Sequence, residues 1–169
     1  MKNINSDIWP YVSKQEHKIV SDVLKSNKLN YWTGLQCKSF EKEFSSFFGK
    51  KYGVSVCNAS VALDISLRSL NLPQGSEIIV TPRSYVSSAS CVLNNNLKPI
   101  FADIDINSQN LSPKSIEKKI NKKTKAIILV HLSGYPCEMD KIVKIAKKNK
   151  ILIIEGCSQS HGAKYRNKF

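Results

Sequence analysis

Residues 123–159 read KTKAIILVHLSGYPCEMDKIVKIAKKNKILIIEGCSQ, and this stretch decides the fold. AIILVHL (126–132) is an apolar run of strand length, CEMDKIVKIAKKNK (137–150) has the pattern of an amphipathic helix, and ILII (151–154) is apolar and strand-sized again. The last run passes straight into the polar cluster Glu155-Gly156-Cys157-Ser158-Gln159. A buried strand of a parallel sheet delivers side chains to a site at its carboxyl end in this way.

The same alternation extends upstream. GVSVC (53–57), EIIV (77–80) and PIFADID (99–105) predict strands. ASVALDISLRSL (59–70), SYVSSASCVLNNN (84–96) and SPKSIEKKI (112–120) predict helices, the last opened by Ser112 with Pro113 in its first turn. Apolar strands alternating with amphipathic helices predict a three-layer α/β/α arrangement around a mostly parallel sheet. Two further helices precede it. SKQEHKIVSDVLKS (13–26) carries Ser13 as cap with Glu16 three residues on, and CKSFEKEFSSFFGK (37–50) sets Phe40, Phe44, Phe47 and Phe48 at helical spacing before a stop at Gly49. The phenylalanine stripe is expected to be core packing.

Composition narrows the function classes. The 169 residues hold 26 Lys+Arg against 13 Asp+Glu, a formal net charge of +13, which suits acidic partners. The lysines are spread over helix faces and turns, without the aromatic-and-basic ribbon of a nucleic-acid surface, so a solvated lysine-rich exterior is expected and nucleic acid is not. Cys37, Cys57, Cys91, Cys137 and Cys157 include no Cys-x-x-Cys pair, which indicates neither a disulfide framework nor a zinc site. No apolar run is of membrane length and the amino terminus lacks a signal-peptide core. A cytoplasmic protein is expected.

The strand exits hold the candidate chemistry. Asn58-Ala59-Ser60 enters a helix through small residues, where free N–H groups, a hydroxyl and the helix dipole suit an anion; a plain helix cap reads the same locally. Tyr85 is a core aromatic or a surface for a ring to stack on. His131, at another exit, is an active-site wall or a structural histidine.

Taken together, YWTG (31–34), FEKEF (40–44), VCNASVALDISLRSL (56–70), GSEIIVTPRSYVSSAS (75–90), PIFADID (99–105), KTKAIILVHLSGYP (123–136) and IIEGCSQSHGA (153–163) resemble, in order and spacing, the DegT/DnrJ/EryC1/StrS family of sugar aminotransferases. The resemblance runs from about residue 8 to the end. It implies a pyridoxal 5'-phosphate enzyme of fold type I that places an amino group, from a donor such as glutamate, on a nucleotide-linked keto sugar for polysaccharide or amino-sugar synthesis. A homodimer is implied for the complete protein. Residues 1–35 would be an amino-terminal helix and substrate-side segment, and residues 36–169 the amino-terminal part of the cofactor-binding large domain.

By the same resemblance, Ala59 and Ser60 hold the cofactor phosphate, Tyr85 lies against the pyridine ring and Gln159 lies close to the cofactor. Trp32, Thr33 and Gly34 help form the substrate site, and His131 and Gly134 match a His-x-x-Gly turn with no catalytic role. Two departures stand out. At Gly156 the family has an aspartate that pairs with the pyridine nitrogen and keeps the ring protonated as an electron sink. Three readings of that position stay open: Glu155 substitutes through a bulge, the cofactor site is degenerate or impaired, or the glycine reflects a sequence error or a single-base lesion. The family's Schiff-base lysine lies downstream of Gln159, after elements not found before Phe169, so the large domain is expected to be incomplete and the chain as it stands not to transaminate. A dehydratase with histidine in place of that lysine, or a non-catalytic relic or binding protein of the same fold, are the alternatives.

Overall fold

The computed structural model describes residues 10–169, so the first nine residues of the 1–35 segment lie outside the described residues. The chain forms two compact units, Met1–Ser55 and Val56–Phe169. In the first, α1 (Lys14–Lys25) opens with the expected capping box: Glu16 N–H donates to Ser13 Oγ at 3.2 Å and Ser13 N–H to Glu16 Oε2 at 2.6 Å. The helix α2 (Gln36–Phe47) carries the phenylalanines. They pack on one another, with ring centroids 5.2 Å apart for Phe40 and Phe44 and 4.8 Å for Phe44 and Phe48. Phe40, Phe44 and Phe47 nevertheless remain exposed and Phe48 is half-buried, so none of the four rings is in a buried core as expected.

The second unit is built on four parallel strands, β1 (Glu77–Val80), β2 (Lys98–Phe101), β3 (Thr124–Val130) and β4 (Leu152–Gly156), in the order β2-β1-β3-β4. Its helices are α3 (Ala59–Ser69), α4 (Ser87–Asn94), α5 (Pro113–Lys119) and α6 (Met139–Asn149). Strand alternation divides the apolar side chains between two layers. Ile78, Val80, Ala126, Ile128 and Ile154 meet Leu67 of α3 and Cys91 and Val92 of α4. Ile79, Ile127, Leu129 and Ile153 meet Ile116 of α5 and Ile142, Ile145 and Ala146 of α6. This is the three-layer α/β architecture read from the sequence.

Three expected strands end early or do not form, each for a local reason. GVSVC has no ladder partner among the described residues; Ser55 N–H is taken by the Glu41 carboxylate at 2.8 Å, and Val54 is 78% exposed. The PIFADID strand stops at Phe101, with one further bond from Ala102 N–H to Val80 C=O at 3.1 Å, because the start of α5 claims Asp103: Ser115 Oγ accepts Asp103 N–H at 2.7 Å, and Ser112 N–H donates to Asp103 C=O at 2.9 Å. AIILVHL stops at Val130, where the chain turns into a 3-10 segment, Leu132–Gly134, with Ser133 at φ 53°.

Replacing Ile127, fully buried between β1, β4 and α6, by alanine should lower unfolding stability by about 2–5 kcal/mol. Lys144→Ala on exposed α6 surface should stay within about 0.5 kcal/mol. Urea midpoints for the two variants test this, and equal midpoints would contradict the layer assignment.

Candidate active site

Parallel strands bring their carboxyl ends to one edge, and helices that return antiparallel bring their amino termini to the same edge. Thr81, His131 and Cys157 follow β1, β3 and β4 there, and α3 packs against β4 and α4. At the start of α3, Asn58 is an extended N-cap at φ −166°, and its Oδ1 accepts Val61 N–H at 3.0 Å. That leaves Ala59 N–H and Ser60 N–H, the first two of the helix, with no acceptor among the described residues, and the Ser60 hydroxyl likewise. Two unpaired N–H groups and a hydroxyl at the positive end of an eleven-residue helix are groups that could hold an anion.

Tyr85 precedes α4 and is 74% exposed, so it is a surface ring and not a core aromatic. Gly156 ends β4 in register with Val130, without a bulge. Since Ile154 lies in the α3/α4 layer, alternation turns position 156 to that layer and Glu155 to the α5/α6 layer with Ile153. The bulge that would let Glu155 substitute for the missing carboxylate does not form. A Cβ at 156 would meet Leu129 O at 3.2 Å and Val130 Cγ2 at 3.5 Å, a tight but not blocked space. Gln159 is exposed, and its Oε1 accepts Ser133 N–H at 2.7 Å.

The residues beyond β3 are tied down by groups that sequence reading did not single out. Asn110 is buried; its Oδ1 accepts Leu132 N–H at 3.1 Å and its Nδ2 donates to Tyr135 C=O at 2.8 Å. His131 is 6% exposed and lies 3.0 Å, Nε2 to Oε2, from Glu155. His131, Glu155 and Cys157 bring N, O and S donors within 4.8 Å of one another, a metal-like set. However, Cys137 N–H donates to His131 Nδ1 at 3.1 Å. Metal on Nε2 would drive the ring proton onto Nδ1, against that N–H, so the cluster suits hydrogen bonding and not metal ligation. A groove of about 700 Å³ beside Arg83, Gln109, Tyr135 and Glu138 contains none of the predicted site residues. Its Arg83 is bonded to Gln109 and its Glu138 to Lys141.

In the first unit, Trp32-Thr33-Gly34 is a turn organised by Asn30, whose Oδ1 accepts Trp32 N–H and Thr33 N–H, each at 3.0 Å. Trp32 is 85% exposed on it. Tyr31 O–H donates to Glu41 at 3.1 Å, and Glu41 also accepts Ser55 N–H and Ser55 O–H. The backbone and hydroxyl bonds from Ser55, with Tyr31, hold the Glu41 carboxyl below its usual range. A Cβ on Gly34 would fall 2.7 Å from Lys28 O and 3.0 Å from Asn30 O, both backbone atoms. Gly34→Ala should therefore open the turn, seen as a changed Trp32 near-ultraviolet circular dichroism signal; an unchanged signal would show that the turn absorbs the methyl.

The DegT/DnrJ/EryC1/StrS aminotransferase family matches residues 10–169. The dTDP-3-amino-3,6-dideoxy-alpha-D-galactopyranose transaminase of Aneurinibacillus thermoaerophilus is 38% identical over 92% of this chain and 42% of its own length. Among solved structures, an aminotransferase from Psychrobacter cryohalolentis superposes with a TM-score of 0.93 at 43% identity, over 95% of this chain and 41% of that one. An E. coli GDP-4-keto-6-deoxy-D-mannose-3-dehydratase with bound hydrated PLP superposes with a TM-score of 0.85 at 31% identity, over 94% and 42%. The chain thus spans about two fifths of the length of the relatives it matches. With the parallel sheet and its helices, these matches give the fold as that of the type I PLP-dependent transferases, and the chain belongs to the DegT/DnrJ/EryC1/StrS aminotransferase family.

Proposed function

We propose that this chain is part of a PLP-dependent aminotransferase that moves an amino group, from glutamate, onto a nucleotide-linked keto sugar in polysaccharide or amino-sugar synthesis. The observation that carries the reading is the unpaired pair of N–H groups and hydroxyl at Ala59 and Ser60, at the strand-exit edge of a chain of this family. Similar proteins support it: one is named a dTDP-aminosugar transaminase, and a structural neighbour contains PLP.

The residues present fit the phosphate end of that cofactor and do not fit its ring nitrogen. Ala59 and Ser60 would hold the phosphate through N–H and O–H donors, Tyr85 would offer its exposed ring to the pyridine face, and Gln159 would lie close by. Trp32, Thr33 and Gly34 would serve the substrate. When bound, the cofactor supplies an electron sink beside the reacting carbon. Gly156 contributes no acceptor that would hold a proton on the ring nitrogen, and Glu155 faces the other layer. We therefore assign to this chain cofactor binding without transamination. Residues 1–35 would be the substrate-side segment and 36–169 the amino-terminal part of the cofactor domain, with the reacting lysine in the portion of the relatives' length that this chain does not span.

Gly156 also favours a second reading, a binding protein that keeps the fold without the chemistry. Likeness to the E. coli dehydratase favours a third, dehydration of the sugar. The complete protein is proposed to act in the cytoplasm as a homodimer; no helix among the described residues is long and apolar enough to cross a membrane.

Pyridoxamine 5'-phosphate, which lacks the aldehyde and so forms no adduct with lysines, tests the cradle by its fluorescence. The chain should bind it in competition with inorganic phosphate. Ser60→Ala, removing a hydrogen bond to a charged group worth about 1.5–3 kcal/mol, should weaken binding about tenfold or more. Unaltered affinity would remove Ser60 from the site, and no binding by the parent chain would remove the cofactor reading. Glutamate with a nucleotide-linked keto sugar should give no amino sugar with this chain; turnover would overturn the assignment made from Gly156.

A further inference from the structure

We propose that His131 is a positioning residue: carrying one proton, on Nε2, it locks Glu155 to the α5/α6 face, and the turn it begins holds Gln159, so that position 156 is presented to the α3/α4 face. The identification of that face as the cofactor side rests on the function proposed above; the lock itself does not.

The geometry leaves the imidazole a single arrangement. Nδ1 accepts Cys137 N–H at 3.1 Å, so it carries no proton, and Nε2 then donates to Glu155 Oε2 at 3.0 Å. The Cys137 and Cys157 thiols and the Glu155 carboxylate draw the ring toward its charged form. A second proton could go only on Nδ1, where it would face the backbone N–H of a residue that is itself buried. Donor against donor at a buried ring nitrogen is the costlier arrangement, and the ring stays neutral.

Three contacts at the end of β3 tie it to the end of β4 and the segment after it. His131 N–H donates to Gly156 C=O at 3.4 Å, the last rung between the two strands. Ser133 N–H donates to Gln159 Oε1 at 2.7 Å. Gly134, at φ 82°, lets its backbone approach so closely that a Cβ there would lie 3.2 Å from Gln159 O. His131 therefore works through Glu155 and Gly156, touching neither cofactor nor substrate. The one-residue step from Glu155 to position 156 is the step from one face of the sheet to the other. Holding the first on its side fixes the second on the opposite side.

The test uses the 169-residue chain with nitrogen-15-labelled histidine and amide signals. At neutral pH, His131 should show one protonated nitrogen, Nε2, coupled to the ring carbons accordingly; a proton on Nδ1, or on both nitrogens, overturns the proposal. His131→Phe, which keeps ring bulk and removes both polar contacts, should move the backbone amide of Gly156 and the carboxamide of Gln159. His131→Gln, which restores a donor to Glu155, should return them toward the parent positions. If His131→Phe does not fold, Glu155→Ala carries the test, since it removes the acceptor that faces Nε2, on a half-exposed side chain, and leaves the imidazole in place. Gly156 and Gln159 signals unmoved in the folded variant overturn the proposal.

A second readout separates it from the cofactor reading. Gly156→Asp should raise affinity for pyridoxamine 5'-phosphate at least tenfold, and His131→Phe in that background should abolish the gain while leaving the Ser60-dependent part. A gain that survives His131→Phe overturns the positioning role. If no variant binds the compound, the cofactor reading falls and the resonance measurements alone decide the role of His131.

Discussion

The pairing of β3 with β4 is the constraint on which the rest depends. Leu129 lies opposite Glu155 and Val130 opposite Gly156, in uninterrupted parallel register. Side chains alternate along each strand, so this register assigns Ile127, Leu129 and Ile153 to the α5/α6 layer and Ile128 and Ile154 to the α3/α4 layer. A slip of one residue would send every one of them to the wrong layer. Full burial of such a side chain contributes about 1.5–3 kcal/mol, and several act together, so the apolar part of β4 sets the alternation that Glu155 and Gly156 inherit, and the contacts of His131 hold it where the ladder ends. Chemistry at the strand exit is in this sense an outcome of packing further down the strand.

That dependence explains what was legible in the sequence. Periods of two and 3.6 showed the order of strands and helices because apolar spacing is itself the physical cause of the layers. Ser13 and Glu16, and Ser112 with Pro113, announced helix starts because capping is a contact between residues three apart. GVSVC misled because a strand is a property of two segments, and its side-chain pattern says nothing of whether a partner is present. The phenylalanines of α2 misled similarly: spacing shows that the rings share a face but not what lies against that face.

Side chains that bond to distant backbone left no such trace. Asn110 satisfies groups on Leu132 and Tyr135, and Glu41 receives Ser55 and Tyr31, across separations that no local period reports. Asn30 had a faint signal, an asparagine two residues before Trp32 in a turn closed by Gly34. His131 was conspicuous as a strand-exit histidine, yet its partners come from Cys137 and Glu155, and only their joint geometry distinguishes a positioning role from a ligand set.

Gly156 is the residue for which fold and chemistry give different answers. Nothing in the backbone calls for glycine there: it sits within a regular strand, and it is not among the glycines of positive φ. A Cβ would press on Leu129 O at 3.2 Å, which asks for a shift of a few tenths of an ångström. The fold thus accepts a side chain at 156 and has already aimed it at the layer that contains the α3 amino terminus. What the chain lacks there is a charge. The helix end offers positive potential and unpaired donors to an anion, while none of the predicted site residues on that face is acidic. Such a face can select a phosphate group, but it has no carboxylate with which to hold a proton on a neighbouring ring nitrogen. Under the proposed function, binding and chemistry would therefore be separable at a single residue, because the two demands would fall on opposite ends of the same ligand.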